Sequence, residues 1–300
     1  MNETVMRHLA KPMLCLAAFI WGSSFFIMKE SVNILPIFYL LAIRFTGGAI
    51  LLALVCWKKW RGFTLDYLWR GAIVGGLLFL AYAVQTFGLA GTTPSKNAFL
   101  TAVYCVMVPF LYWLVAKQRP DRYNILAAVL CVTGVGFVSL TSGFTVTWGD
   151  GLTLCCAVFY AAHIVSVAKL SPEKDIYLLT VFQFAFAALY AWICGFCFQD
   201  FPAPALFTPD ILIQLAYLTV MATTVALLFQ NVGQVWSDPS SAAVILSLES
   251  VFGVLCSVLF YHDPVTPRLI AGFVLIFIAV LCSETKFSFL RRPRRAKQPQ

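Results

Sequence analysis

Two charged residues stand where a charge is expensive. Arg44 lies about nine residues inside an apolar run over 35–57, and Glu249 about eleven inside one over 238–261. At 1.5 Å per residue those depths are roughly 13 and 16 Å, near the middle of a hydrocarbon layer about 30 Å thick. A charge so placed costs at least ~2.5 kcal/mol on insertion scales and as a rule faces a cavity. A guanidinium can grip a carboxylate through two parallel hydrogen bonds, and a carboxylate can hold an ammonium. Arg44 and Glu249 together therefore suit a zwitterion such as an amino acid. A carboxyl at mid-depth can also take up and release a proton, so Glu249 is a candidate for proton coupling as well as substrate binding. The simpler alternative is an Arg–Glu pair, or an arginine bonded to backbone carbonyls, that ties helices together.

Uncharged groups could complete such a site. Gln85, Gln183, Gln230 and Asn231 are polar residues in apolar surroundings, able to bind a solute or to bond across helices. Trp21, Phe25, Tyr82, Tyr104 and Tyr160 could form aromatic walls suited to planar or cationic solutes. Aromatic residues make up 15% of the chain, so packing or lipid contact competes with that role. His163, midway along the sixth apolar run, is a second candidate for proton coupling; a lone histidine on an apolar face is more often a packing residue.

Other chemistries lack their residues. No G-x-x-x-x-G-K-[ST] phosphate loop is present, and a site of that kind needs one. His8, His163 and His262 are far apart in the chain, whereas an intramembrane enzyme needs clustered acid, base or nucleophile. Cys194 and Cys197 form a C-x-x-C with no second pair at metal-ligand spacing. All ten cysteines lie in or beside apolar runs, where thiols act as small hydrophobes. The expectation is a non-enzyme without cofactor or metal.

The elements that must position these residues follow from composition. The chain is 61% hydrophobic and 11% charged, with a mean hydropathy of +0.85. A soluble chain carries roughly a quarter charged residues, so lipid is the solvent that fits. Ten apolar stretches cover 12–29, 35–57, 69–90, 95–116, 123–141, 149–168, 176–198, 210–232, 238–261 and 267–284. Charges, prolines and glycines mark the breaks between them. Several stretches are apolar over a whole helical length, which excludes a membrane barrel of ~10-residue alternating strands. The predicted fold is an all-α membrane protein of ten transmembrane helices.

Basic residues set its orientation. With the N-terminus in the cytoplasm, the inner segments hold Arg7, Lys11, Lys58, Lys59, Arg61, Arg70, Lys117, Arg119, Arg122, Lys169, Lys174 and the basic tail. The opposite loops hold Lys29, Lys96 and Arg268. Both termini are thus expected inside. The net charge of +8 is then a topology signal, and Arg291-Arg292-Pro293-Arg294-Arg295 is expected to meet anionic headgroups rather than nucleic acid. The first apolar run continues through Trp21 to Met28 with no small-residue cleavage site, so it reads as a retained helix rather than a leader.

The chain is also duplicated. Gln85 to Ala98 reads QTFGLAGTTPSKNA and Gln230 to Ala243 reads QNVGQVWSDPSSAA. Gln, Gly, Pro, Ser and Ala recur at an offset of 145 residues. Earlier in each half an offset of 139 sets Trp21 on Tyr160, Ser24 on His163 and Arg44 on Gln183. The expected units are a first five-helix repeat at 12–141, a second at 149–284 and a basic cytoplasmic tail at 285–300. An odd number of spans forces the halves into opposite orientations, and inverted repeats are a hallmark of transporters. Small residues at helix-contact spacing, Gly71-x-x-x-Gly75, Gly253-x-x-x-Ser257 and Ala157-x-x-x-Ala161, suit close packing or sliding.

AAFIWGSSFFIMK (Ala17 to Lys29), then Pro36 and Arg44, then Leu248-Glu249-Ser250-Val251-Phe252 form a recognisable set. The sequence resembles the EamA-like family of the drug/metabolite transporter superfamily over about 14–284. Ser250 stands where the family usually has proline, and Gln118 where an acidic residue often ends the fourth helix; Asp263 holds the equivalent place after the ninth. Ala127 or Ala128 stands where glycine is expected in the fifth helix. The resemblance implies a central cavity between the halves, peripheral fifth and tenth helices, and helical hairpins that act as gates.

The reading is a secondary transporter, an exporter of amino acids or related small metabolites by alternating access, with proton coupling an open option. Its expected partners are a small-molecule substrate and the lipid bilayer of a bacterial inner membrane, without nucleic acid; a homodimer is compatible with it. Nucleotide sugars, polyamines, drugs or flipped lipids remain alternative cargoes.

Overall fold

The computed structural model describes residues 3–117, 119–139, 146–236 and 239–286. Gln118, Asp238 and the tail arginines from Arg291 to Arg295 lie outside the described residues.

The described chain is helical nearly throughout. Helices α1 (Glu3–Val32), α2 (Ile37–Val55) and α3 (Asp66–Ala90) are the first three spans. The fourth span is split into α4 (Pro94–Thr101) and α5 (Tyr104–Ala116), and α6 (Arg122–Ser139) completes the first half. In the second half, α7 (Trp148–Leu170) and α8 (Ile176–Phe198) are continuous. The eighth span runs as α9 (Pro209–Tyr217), a π-helical segment (Leu218–Val225) and α10 (Ala226–Trp236). Helices α11 (Pro239–Phe260) and α12 (Pro267–Thr285) follow. Seven spans are long and apolar enough to cross a membrane, and the shorter apolar helices Arg122–Val138, Ile245–Phe260 and Pro267–Ser283 bring the total to the ten expected.

Local chemistry sets the boundaries. Thr93, Thr208 and Thr266 each cap the next helix by accepting a backbone N–H, with proline in its first turn. There the missing proline N–H costs nothing. Thr147 and Asp175 cap α7 and α8 in the same way. At the far ends of α5 and α12 the chain turns through left-handed Lys117 and Lys286, at φ 60° and 51°, a common way of satisfying the last carbonyls.

The packing repeats between halves. Helix α1 packs on α11 and on the eighth span, and its counterpart α7 packs on the split fourth span and on α3. Helices α2, α4 and α6 each pack on their own counterparts α8, α11 and α12. An approximate two-fold axis through the bundle explains both patterns. Lipid offers no hydrophobic force between helices, so close backbone approach does the work. A Cβ at Gly75 would lie 2.5 Å from the Gln183 carbonyl oxygen, and one at Gly134 would lie 2.9 Å from that of Gly272. Ala157 and Ala161 are fully buried. Long apolar side chains such as Leu54, Phe196, Ile213, Val132 and Leu259 point outward, as a lipid-facing surface requires.

Candidate functional site

The central cavity lies where the counterparts meet. Its wall includes Trp21, Ser24, Arg44, Tyr82, Gln85, Tyr160, His163, Gln230 and Glu249. Of the residues singled out in the sequence, Gln183 and Asn231 lie outside this wall; Gln183 lies against His163 from α8. The wall is built in repeat-related pairs: Trp21 with Tyr160, Ser24 with His163, Phe25 with Ile164, Tyr82 with Leu227, Gln85 with Gln230 and Tyr104 with Glu249. The chemistry, however, is not repeated. The cation comes from the first half and the carboxylate from the second.

Arg44 is 2% exposed. Its Nε donates to Thr223 Oγ1 at 3.2 Å, its Nη1 meets Met28 Sδ at 3.4 Å, and the guanidinium lies 5.3 Å from the centre of the Tyr82 ring. The π-helical segment makes this contact available. Thr223 and Thr224 donate to carbonyls five residues back, Leu218 O and Thr219 O, each at 2.8 Å. Thr223 Oγ1 has thus used its proton and presents a lone pair to Arg44. Trp21 Nε1 donates to Ala222 O in the same segment at 2.9 Å. Such π segments occur often at functional sites.

Glu249 is 4% exposed, and Tyr104 is the side-chain hydroxyl that faces it. Among the described residues Arg44 and Glu249 form no ion pair with each other. The helix-tying Arg–Glu pair weighed above is therefore not made, and both charges remain on the cavity wall beside uncharged partners.

A hydrogen-bonded chain lines one side. Tyr160 Oη donates to Gln85 Oε1 at 2.8 Å, and Gln85 Nε2 donates to Thr101 Oγ1 at 3.0 Å. Asn97 Nδ2 donates to Gln85 O at 3.3 Å and to Thr153 Oγ1 at 2.7 Å. These bonds fix the Asn97 amide, whose Oδ1 is buried without a partner among the described residues. His163 Nε2 and Gln183 Nε2 are in the same condition. A buried polar atom left unbonded costs about 1–3 kcal/mol, and two of these belong to wall residues. The sequence reading missed Asn97, Thr101, Met28 and Thr223. Asn97 stands inside the duplicated QTFGLAGTTPSKNA stretch but faces Ala242 at the repeat offset, and that loss of symmetry was the available signal.

The cavity is small, about 60 Å³. A second one, about 500 Å³, lies on the side that holds Ser171, Ile176, Ser283 and Lys286, where the basic ends of the helices gather. The two share Tyr104 and Ile164. Asn231 lines the second; its Nδ2 donates to Thr180 Oγ1 at 2.8 Å. No group of three or more His, Cys, Asp or Glu side chains that could hold a metal occurs among the described residues.

Similar proteins narrow the reading. An uncharacterized transporter of Archaeoglobus fulgidus is 35% identical over 280 residues, 93% of this chain and 87% of that one. The uncharacterized transporter YvbV of Bacillus subtilis is 24% identical over 91% of each chain. A solved crystal structure, at 16% identity, superposes with a TM-score of 0.68 over 93% of this chain and 98% of its own, a likeness of fold alone. The EamA-like transporter family is matched twice, over residues 9–140 and 147–285, so nearly the whole chain is accounted for by two copies of one unit. This polytopic membrane protein belongs to the EamA-like transporter family.

Proposed function

We propose that this transporter is a secondary exporter of amino acids or related small zwitterions, working by alternating access and coupled to protons through Glu249. The observation that carries the reading is the pair of buried, mutually unpaired charges, Arg44 and Glu249, on one cavity wall. A solute with a carboxylate and an ammonium would neutralise both. It would offset part of the desolvation cost of burying the two charges, and specificity would follow from the geometry of the two charges.

The direction and membrane rest on other features. The larger cavity lies at the basic end of the bundle, which the positive-inside rule assigns to the cytoplasm, so loading from the cytoplasm and export fit best. Both termini are then cytoplasmic, and small loops suit a bacterial inner membrane. The repeats at 12–141 and 149–284 are the two bodies that would rock about the site, as inverted repeats do in other carriers. The solute leaves chemically unchanged.

Counterflow in proteoliposomes with labelled amino acids tests the reading. The wild type is expected to accumulate an unchanged amino acid against a preloaded pool, and a pH gradient should drive accumulation uphill. Glu249→Gln should abolish the pH-driven component and slow exchange at least tenfold. Folded wild-type protein that moves no amino acid would remove the substrate assignment; transport indifferent to pH would remove the coupling.

A further inference from the structure

The two cavities differ in chemistry as well as in size. The central chamber sets charged and hydrogen-bonding groups among apolar side chains such as Phe25, Leu78 and Leu227, and Asn97 Oδ1 and His163 Nε2 have no partner among the described residues. Its volume, about 60 Å³, is about four to six times the ~10–15 Å³ that one water needs on the same measure. It can take a compact polar head and little else. The neighbouring vestibule, about 500 Å³, is walled largely by apolar side chains, among them Val108, Val167, Ile176 and Leu246. Its wall draws on α5, α6, α7, α8, α10, α11 and α12, so helices of both halves meet around it. The cation on its wall, Lys286, is already bonded to Asp121 at 2.6 Å. Tyr104 and Ile164 belong to both walls, so the two cavities are immediate neighbours.

We infer that the two cavities form one binding site in two compartments, whose substrates are amphipathic amino acids. The zwitterionic head sits in the central chamber and an extended apolar side chain passes between Tyr104 and Ile164 into the vestibule. The head's placement rests on the function proposed above; the apolar compartment does not. Vestibule residues set affinity by the apolar surface they cover, and a charged side-chain terminus is rejected because the vestibule offers it no free counter-charge among the described residues.

A straight-chain series tests this: alanine, 2-aminobutyrate, norvaline and norleucine, with lysine as norleucine's charged relative. Full burial of a methylene is worth up to about a fourfold change in affinity. The half-saturating concentration in counterflow is therefore expected to fall at least tenfold from alanine to norleucine, with lysine at least tenfold weaker than norleucine. Val108→Phe fills the vestibule and Val167→Thr makes it more polar at nearly constant volume. Both should flatten the series from alanine to norleucine, and the second guards against misfolding of the first. A flat or reversed series in wild type, lysine equal to norleucine, or an unchanged slope in both variants overturns the inference. If wild type moves none of these solutes, thermal unfolding of the purified full-length chain decides separately. A Tm rising with chain length of the added amino acid keeps the two-compartment site and discards the carrier reading; a Tm unmoved by the whole series discards the site.

Discussion

At the scale of the residue, Arg44 and Glu249 were the groups whose position in the sequence alone marked them out, because a charge inside an apolar run has few destinations other than a cavity. Both line it. The partners of Arg44 were not legible, since Thr223 lies 179 residues away and the π-helical turn in which its hydroxyl proton goes to Leu218 O has no mark in the sequence. The arrangement predicts different outcomes for two substitutions. Arg44→Lys keeps the charge but loses the flat face over Tyr82 and the forked grip on a carboxylate. Arg44→Gln loses the charge as well. Hydrogen bonds to charged groups contribute about 1.5–3 kcal/mol, so Arg44→Gln should raise the half-saturating amino-acid concentration roughly tenfold to hundredfold, with Arg44→Lys between. Removing the charge also removes its burial cost, so the Tm of Arg44→Gln should hold or rise. A fall in Tm alongside unchanged affinity would mean that Arg44 is a strut between helices.

At the scale of the element, helix number and position were legible because each span must carry ~20 apolar residues, a requirement that overrides local propensity. Two departures from regular helix were not. The split between α4 and α5 falls at Ala102 and Val103, and neither residue is a helix breaker; Pro109 lies inside α5. The π segment reads LTVMATTV, without glycine or proline, and its signature is tertiary: Trp21 and Arg44 reach into it from α1 and α2. Its counterpart in the first half lies within α3, which stays α-helical, so the duplication gave no hint. Thr223→Val tests the segment. It removes the acceptor of Arg44 and one five-residue backbone link, at a cost of about 1 kcal/mol in stability, read as a lower Tm. It should also weaken amino-acid binding, because Arg44 loses the contact that aims it. Thr224→Val removes the neighbouring link without touching Arg44, so it should lower Tm and leave the half-saturating concentration unchanged. Equal binding defects in both would show that the segment acts only through its backbone.

At the scale of the whole molecule, the duplication was legible from one gapless stretch, yet the two ends of the bundle are held in different ways. At the end away from the basic residues, the turn between α3 and α4 is tied across to the other half. Asp263 Oδ2 accepts from Ser95 N at 3.0 Å, Ser95 Oγ at 2.5 Å and Ser257 Oγ at 2.7 Å. Asp150 accepts from Thr92, and Lys96 pairs with it at 3.3 Å. The repeat offsets set Asp263 on Gln118, Asp150 on Lys11 and Lys96 on Ser241, so the sequence does not reproduce this set of charges at the basic end. A transporter with two nearly equivalent arrangements would then be biased toward the one in which the opposite end is shut, by the difference between the two sets of ties. Each charge-assisted bond contributes about 1.5–3 kcal/mol, and losing one should shift the populations tenfold or more. Asp263→Ala and Asp150→Asn are each expected to expose the central chamber from the outer face. The readout is labelling of a cysteine at Ser24, on the chamber wall, by an impermeant thiol reagent applied from that side and followed by peptide mass spectrometry. The rate should rise about tenfold in each variant and fall when the reagent is applied from the basic side. Unchanged rates from both sides, in protein that still unfolds cooperatively, would show that these ties hold loops in place without setting which way the carrier opens.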